Sequence, residues 1–393
     1  MAQPRLALIA LLAAVVAVTP LAIDMYLPAM PQITEQLTTT PGLVQQSLSI
    51  FLAFYALGML LFGPLADMIG RRKLAIGGLS AFALVSLLLS LAPTIEWFLA
   101  GRAAQAFVGS AATVVIPGLI RALYQENTAK GMSYVSMMMM LAPLLAPAIG
   151  SLLLLWGQWP LIFVVLAAYA LVIGVLCMRF LPEVRIPRPA DSPAPAFFSS
   201  YRLVLSNRLA QPLIAISMFA SFSFFCFLTA VPFVYIEHFG VDAQLFSLLF
   251  GFNVCALIIA NFSNSKLVTR FGSERLLHWA FLSGLLFASI LVAVSIFAGP
   301  LWLTALAIAP LMASLSVCAT NADALILIRF PHHSGTATAV IGTLRFGAGA
   351  IAGPLLAMGG QDSIVPFAVL MFSGVFAISV CQAWRQWRVA AQN

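Results

Sequence analysis

The sequence predicts an all-α, polytopic membrane protein with twelve transmembrane helices in two six-helix bundles related by a pseudo-repeat. Of its 393 residues, 62% are apolar and 8% are charged, whereas a soluble domain carries about 25% charged residues. A soluble core of this size cannot cover so much apolar surface, so the excess must face lipid. One span needs about 20 apolar residues, and at roughly 32 residues per span and loop the chain holds about twelve.

The apolar runs are separated by turn and polar signals such as Pro93-Thr94 and Gly299-Pro300. The predicted spans 1 to 12 cover residues 6–31, 43–66, 73–92, 96–121, 131–156, 160–181, 211–236, 243–267, 275–298, 301–328, 334–358 and 363–384. The first run resembles a signal peptide, but it continues to about Pro31 without a small-residue cleavage pattern. We therefore interpret it as the first span.

The basic residues predict the orientation of the spans. With the N-terminus inside, 17 of the 19 Lys and Arg residues fall in cytoplasmic loops or ends, and the other two, Arg102 and Arg345, fall inside spans. The periplasmic loops instead carry Glu237, Asp242 and Asp362. The positive-inside rule thus predicts that both termini are cytoplasmic, and we expect a multi-pass protein of a bacterial inner membrane. Because the bases sit at helix ends and not on one face, the net charge of +7 does not indicate nucleic-acid binding.

The longest polar stretch predicts the domain organisation. Residues 182–207 contain five prolines, which prevent one regular helix from forming there. We expect an N-terminal bundle at 1–181, a cytoplasmic linker at 182–207 and a C-terminal bundle at 208–393. Residues 68–74 and 270–276, at an offset of 202, each carry a glycine turn flanked by bases. Two repeated six-span halves are typical of transporters whose substrate site lies near mid-membrane between the halves.

Several motifs resemble those of one family. Residues 63–73, GPLADMIGRRK, look like the Gly-x-x-x-Asp-Arg-x-Gly-Arg-Arg signature of the major facilitator superfamily. Residues 102–109, RAAQAFVG, resemble the span-4 motif of its proton-coupled members, and residues 146–151, APAIGS, the span-5 motif of its antiporters. Residues 24–31, DMYLPAMP, and 333–338, HSGTAT, are similar to its bicyclomycin- and chloramphenicol-resistance (Bcr/CflA) branch of drug:proton antiporters.

The resemblance covers the whole chain and implies roles for two sets of residues. It implies a gating motif formed by Gly63, Asp67, Gly70, Arg71 and Arg72, and an antiporter motif formed by Pro147 and Gly150. Asp67 would face a helix N-terminus of the other half, a contact that contributes about 0.3–1 kcal/mol; the alternative is an ordinary helix-end acid. The departures from the family pattern are Met68 for a basic residue and Ala106, Ala146 and Ser151 for glycines.

Ionisable residues inside spans are costly and therefore indicate function. At 1.5 Å per residue, Asp24 and Arg102 lie about 10 Å and about 9 Å from the periplasmic end. Burial favours a neutral carboxyl and a nearby guanidinium favours an ionised one, so the competition predicts a proton carrier at Asp24 whose proton, or a cationic substrate, displaces Arg102. The matching residues in the family are associated with coupling and substrate. The alternative is a static buried ion pair.

Two further charges lie inside spans of the second half. Asp323 lies about 9 Å from the cytoplasmic side and is either a second proton-coupling residue or an acid paired with Arg329 or hydrated from the cytoplasm. Arg345 lies about 17 Å deep and either binds a polar or anionic substrate group or pairs with Asp323 or helix-end carbonyls.

Aromatic and polar side chains complete the predicted substrate site, since drug sites are mostly apolar with a few polar anchors. The predicted substrate-binding residues are Asp24, Tyr26, Phe54, Tyr55, Arg102, Phe224, Asn253, Asn321 and Arg345. The alternative for each ring is packing or lipid contact.

The predicted function is a proton-coupled efflux antiporter for drugs or other small molecules. Export of an endogenous purine, amino acid or siderophore is the alternative. The chain has no Walker A motif, no cysteine spacing typical of metal sites and no catalytic cluster. We therefore expect no cofactor, no metal and no enzymatic activity; the partners are protons, the substrate and lipid, and the protein is a monomer.

Overall fold

The computed structural model describes residues 6–124, 128–183, 202–330, 334–359 and 363–390. Ten helices in this part of the chain are long and apolar enough to cross a membrane. One of them, Ala243–Ile296, contains two spans, because Gly272 leaves the helical conformation at φ +77° and ψ 156°. Span 5 contributes a further, shorter apolar stretch, Leu141–Trp156. The all-α, twelve-span prediction is confirmed.

The helices follow the predicted spans in order. Spans 1 to 6 contain Leu6–Asp24 with Met30–Gln36, Pro41–Ile69, Arg71–Leu89, Ile95–Thr113 with Ile116–Tyr124, Thr128–Trp156, and Pro160–Phe180. Spans 7 to 12 contain Gln211–Pro232 with the π-helical turn Phe233–His238, 243–271, 273–296, Leu301–Arg329, Ser334–Ala350 with Ala352–Met358, and Val365–Ala390.

Spans 1, 4 and 11 are each interrupted by a break in the helix, a feature that the predicted span ranges do not contain. Each helix ends four residues before a proline, whose ring clashes with the carbonyl of residue i−4 and which has no N–H to donate. The pairs of last helical residue and proline are Asp24 and Pro28, Thr113 and Pro117, and Ala350 and Pro354. Pro147 and Pro310 lie inside uninterrupted helices, so proline alone does not determine a break.

Contacts within the chain divide it into two units, Met1–Pro195 and Ala196–Asn393. In the first unit span 4 packs against spans 2 and 3, and span 1 packs against span 5. In the second unit span 7 packs against spans 10, 11 and 12. The bounds of the two bundles and the linker stay predictions, and residues 184–201 of that linker lie outside the described residues.

The internal repeat is visible in the backbone. Gly70 has φ +100° and Gly272 has φ +77°, a region that glycine adopts readily and other residues rarely do. After each glycine the chain is tied to the last span of its own unit: Arg72 donates to the carbonyl of Met178, and Glu274 accepts from Arg385. The two loops therefore share their geometry and attachment, although the charge at the attachment is reversed.

Candidate functional site

Arg102 is a fully buried charge in the first unit, with no exposed surface. Its guanidinium carbon lies 4.3 Å from the ring centroid of Tyr26 and 4.4 Å from that of Phe51. Its Nη1 donates to the carbonyl of Ala22 at 3.0 Å and to Oε1 of Gln105 at 2.6 Å. Cation–π contacts and charge-assisted hydrogen bonds offset part of the cost of removing this charge from water.

Asp24 lies beside this cluster as the last residue of the first helix, and it is 3% exposed. Its Oδ1 has no hydrogen-bond partner among the described residues, and neither do Nε and Nη2 of Arg102. The contact between Arg102 and Ala22 places the two charges at one level of the unit, as their depths predict. The described residues show no ion pair between Asp24 and Arg102; Nη1 of Arg102 instead binds the carbonyl of Ala22, two residues before Asp24.

Tyr55 joins three spans through its hydroxyl. It accepts from Thr19 Oγ1 at 3.1 Å and lies 2.7 Å from Thr113 Oγ1. Its ring stacks on Phe51, with 6.1 Å between centroids and 9° between planes, and Phe51 in turn contacts Arg102. Phe54, predicted to line the same site, is 41% exposed and has no described ring contact with this cluster.

Two further polar contacts connect the residues around Arg102 to spans 2 and 3. Gln105 Nε2 donates to Ser86 Oγ at 2.8 Å, which ties span 4 to span 3. The hydroxyl of Tyr26 lies 3.1 Å from Ser47 Oγ, which ties the break in span 1 to span 2. The Arg102 cluster is thus supported by side chains from every one of the first four spans.

The predicted antiporter motif lies against the same break. A Cβ on Gly150 would stand 1.9 Å from the carbonyl oxygen of Met25, far inside van der Waals contact. Pro147 is buried within the continuous helix of span 5. Glycine is therefore required at 150 for span 5 to approach the backbone next to Asp24.

The predicted gating motif is seen in part. The Arg71 guanidinium packs on Gly118 of span 4, where a Cβ would stand 2.3 Å from Nη1. A Cβ on Gly63 would meet no described atom within 4 Å. The side chain of Asp67 lies outside the described residues, so its role stays a prediction.

The second unit contains an ion pair between Asp323 and Arg345. Arg345 Nη1 lies 2.8 Å from Asp323 Oδ2, and Arg345 Nε donates to Ser221 Oγ at 2.8 Å. Ser217 Oγ donates to Asp323 Oδ1 at 2.7 Å. Of the alternatives weighed for these residues, pairing of Asp323 with Arg345 is formed and pairing with Arg329 is not. The two charges meet despite their different estimated depths because the arginine side chain is long.

The other predicted binding residues are held elsewhere in the second unit. Asn253 Nδ2 donates to the carbonyl of Leu249 at 3.0 Å, and Asn321 Nδ2 donates to Asn264 Oδ1 at 2.7 Å. The Phe224 ring stands edge-on to that of Phe225, with 5.5 Å between centroids. Neither asparagine has a described hydrogen bond to the Asp323–Arg345 pair, and the described ring contact of Phe224 is with Phe225, so the structure does not gather the predicted set into one cluster.

The chain is similar in sequence to proteins of one known family. The sequence model of the Major Facilitator Superfamily matches residues 12–354 of the chain. The chain belongs to the major facilitator superfamily. A bicyclomycin resistance protein homolog from Haemophilus influenzae is 33% identical over 361 residues, which cover 90% of this chain and 89% of that protein. A chloramphenicol resistance protein from Pseudomonas aeruginosa is 29% identical over 333 residues, covering 81% and 76%. The resemblance to this drug-resistance branch is confirmed.

Among solved structures, the nucleoside transporter NupG shares the fold, with a TM-score of 0.76 at 11% identity over 96% of this chain and 99% of that one. The protein is a multi-pass membrane protein of a transporter family.

Sequence reasoning missed several side chains of this major facilitator chain. They are hydroxyl residues within apolar runs: Thr19, Ser86, Thr113, Ser217 and Ser221. A polar side chain in hydrocarbon needs a partner, so their positions carried a signal, but the partner of each depends on packing between distant spans. Gly118 was missed because only the approach of Arg71 distinguishes it from other small residues.

Proposed function

We propose that this protein is a proton-coupled efflux antiporter for small molecules in a bacterial inner membrane, working by alternating access as a monomer with both termini cytoplasmic. The family and its relatives named for bicyclomycin and chloramphenicol resistance support export of antibacterial compounds. The partners proposed are protons, a small-molecule substrate and lipid, with no nucleic acid and no enzymatic step.

The observation that carries the proposal is the buried carboxyl of Asp24, whose Oδ1 has no described partner. An ionised carboxylate without a partner in a dry environment costs several kcal/mol. We therefore propose that Asp24 holds a proton in the arrangement seen here and releases it when water or substrate reaches it.

Arg102 is the partner that becomes available to Asp24 once Asp24 has lost its proton. Its Nε and Nη2 are donors without described acceptors, and its charge is permanent because the guanidinium does not lose its proton in proteins. Once Asp24 is ionised, an ion pair with Arg102 becomes favourable and competes with the bond from Arg102 to the carbonyl of Ala22. The protonation state of Asp24 thus changes how the interrupted end of span 1 packs. A conformational change needs such a difference in interaction between the two states.

Substrate is proposed to contact the Asp323–Arg345 pair during the transport cycle, and also the predicted binding residues Tyr26, Phe54, Tyr55, Phe224, Asn253 and Asn321. Asp323 is proposed as a second proton-coupling residue. The gating motif Gly63, Asp67, Gly70, Arg71 and Arg72 is proposed to latch the cytoplasmic side. These roles come from the family resemblance, and the residues that would perform them make different kinds of contact in the structure.

A drug-susceptibility panel in an efflux-deficient host tests the proposal. Expression of the wild type is expected to raise the inhibitory concentration of at least one compound, and Asp24→Asn is expected to abolish this. Asp242→Asn is the matched control: Asp242 caps span 8 at its periplasmic end by accepting from the N–H of Leu245 at 2.7 Å, and asparagine caps as well as aspartate.

Unchanged susceptibility to every compound with the wild type would contradict drug efflux and favour the alternative, export of an endogenous purine, amino acid or siderophore by the same mechanism. Full resistance from Asp24→Asn would contradict the role of Asp24.

A further inference from the structure

The side chains of the Asp323–Arg345 pair are partly exposed, unlike those of Arg102 and Asp24. The side chains of Asp323 and Arg345 are 22% and 36% exposed, respectively, whereas Arg102 has no exposed surface and Asp24 is 3% exposed. Arg345 uses Nε and Nη1 for its bonds to Ser221 and Asp323, and its Nη2 has no hydrogen-bond partner among the described residues. A guanidinium donor is therefore available within a membrane-spanning part of the second unit.

The exposed side of this pair cannot rest stably against lipid. A charged group in hydrocarbon is costly and is found facing a water-filled space or a polar partner. Because Arg345 is fixed at Nε and Nη1, the direction of its open donor is also fixed. This gives the pair the properties of a recognition group, held in place before any ligand arrives.

The charge of the pair limits the class of ligand. One carboxylate and one guanidinium in direct contact sum to zero, so a cation or an anion that leaves water to reach them gains no net attraction. An uncharged ligand that carries a carbonyl or hydroxyl oxygen can accept from Nη2 in a charge-assisted hydrogen bond, which is stronger than a neutral one. The geometry thus favours uncharged, hydrogen-bonding compounds.

Two of the spans that form this region, spans 7 and 11, also carry aromatic rings that touch each other. Phe346 follows Arg345 in span 11, and its centroid lies 5.7 Å from that of Phe225. Phe225 lies one turn beyond Ser221 in span 7 and contacts Phe224. Spans 7 and 11 thus carry both apolar rings and a fixed polar anchor, the combination found in small-molecule sites.

We infer that the Asp323–Arg345 pair, on spans that also carry Phe225 and Phe346 or pack against them, is the anchor for uncharged substrates that carry a carbonyl or hydroxyl group on an aromatic or apolar body. This inference rests on the proposed efflux function and specifies its substrate class. The neutrality of the pair, and not the presence of Arg345 alone, selects uncharged compounds over lipophilic cations.

Equilibrium binding to the full-length protein in lipid nanodiscs tests this inference with two probes. Chloramphenicol is an uncharged aryl amide with two hydroxyls, and tetraphenylphosphonium is a permanent cation without hydrogen-bonding groups. The wild type is expected to bind chloramphenicol more tightly. Arg345→Gln is expected to weaken chloramphenicol binding by about tenfold or more, through loss of one charge-assisted bond, and to strengthen binding of the cation because Asp323 is left unpaired.

Two further variants separate charge from structure. Asp323→Asn leaves Arg345 unpaired and is expected to weaken binding of the cation below that of the wild type. The double variant Asp323→Asn/Arg345→Gln restores net neutrality, so it is expected to lose the gain in cation binding while chloramphenicol binding stays weak. Arg179→Gln, at an exposed position at the end of span 6, is the control and is expected to match the wild type.

Equal changes in the binding affinity of both probes in Arg345→Gln would overturn this inference. So would a wild type that binds the cation more tightly while still conferring resistance. Neither result would contradict the proposed efflux function. A wild type that binds neither probe and confers no resistance would overturn both the inference and the proposed function.

Discussion

Gly150 of span 5 lies directly against the carbonyl oxygen of Met25, where an added Cβ would stand only 1.9 Å away. Met25 follows Asp24 at the break in span 1, and Arg102 holds the other side of that break through the carbonyl of Ala22. Span 5 and span 4 thus both contact the main chain within two residues of Asp24. The environment of this carboxyl is set by backbone packing on one side and by a buried cation on the other.

Replacement of Gly150 by alanine is expected to abolish efflux, because a backbone oxygen cannot move aside as a flexible side chain can. Overpacking of this kind costs about 1–3 kcal/mol, so the unfolding midpoint should also fall. Gly174→Ala is the control, since its Cβ would make an ordinary contact of 3.6 Å with Leu79. Resistance from Gly150→Ala equal to that of the control would show that span 5 does not need this close approach.

Alanine at Gly272 is expected to lower stability through the backbone alone. At φ +77° and ψ 156°, a backbone region that essentially only glycine adopts, with no atom within 4 Å of its Cβ position, the cost is conformational strain of about 1–3 kcal/mol. Gly347→Ala, in an equally open position without a positive φ, should be neutral or stabilising because it lies in a helix. Thermal unfolding in detergent compares the two; equal midpoints would contradict the strained geometry between spans 8 and 9.

Removal of the Tyr55 hydroxyl is expected to loosen the contact among spans 1, 2 and 4. Tyr55→Phe leaves Thr19 and Thr113 without this shared partner, and interhelical hydrogen bonds in membranes contribute about 0.6 kcal/mol each on average. The free energy of unfolding should fall by roughly 1 kcal/mol. Phe54→Leu, which changes an exposed ring, should leave the free energy of unfolding unchanged. A Tyr55→Phe variant as stable as the wild type would show that the hydroxyl contributes nothing.

Lysine at position 102 is expected to reduce efflux strongly even though it keeps the positive charge. The guanidinium stacks between Tyr26 and Phe51 while donating to Ala22 and Gln105, and an ammonium cannot reproduce that planar arrangement. Lys73→Arg, an exchange at an exposed position, serves as the control in the same assay. Normal resistance from Arg102→Lys would show that charge alone suffices at this position.

The helices were predictable because apolar length is a local property, and the loop charges predicted one orientation for all of them. The breaks were not, since Pro28, Pro117 and Pro354 interrupt their spans while Pro147 and Pro310 do not. A membrane helix tolerates a proline where neighbouring spans, side chains or water satisfy the freed backbone groups, and the local sequence does not show where this happens.

The candidate site was predictable in part for a similar reason. The sequence marks Asp24, Arg102, Asp323 and Arg345 as costly charges that need partners. It does not indicate that Arg102 binds the backbone carbonyl of Ala22, because a carbonyl is present at every residue. The estimated depths placed Asp323 and Arg345 apart, whereas the reach of the arginine side chain brings them into contact.

The coupling of protons to transport through Asp24 is tested most directly in vesicles that contain the purified protein and a compound it exports. A pH gradient imposed across the vesicle membrane is expected to drive movement of that compound by the wild type. Asp24→Asn is expected to bind the compound and exchange it passively but not to respond to the gradient. Gradient-driven transport by Asp24→Asn at the wild-type rate would contradict the account.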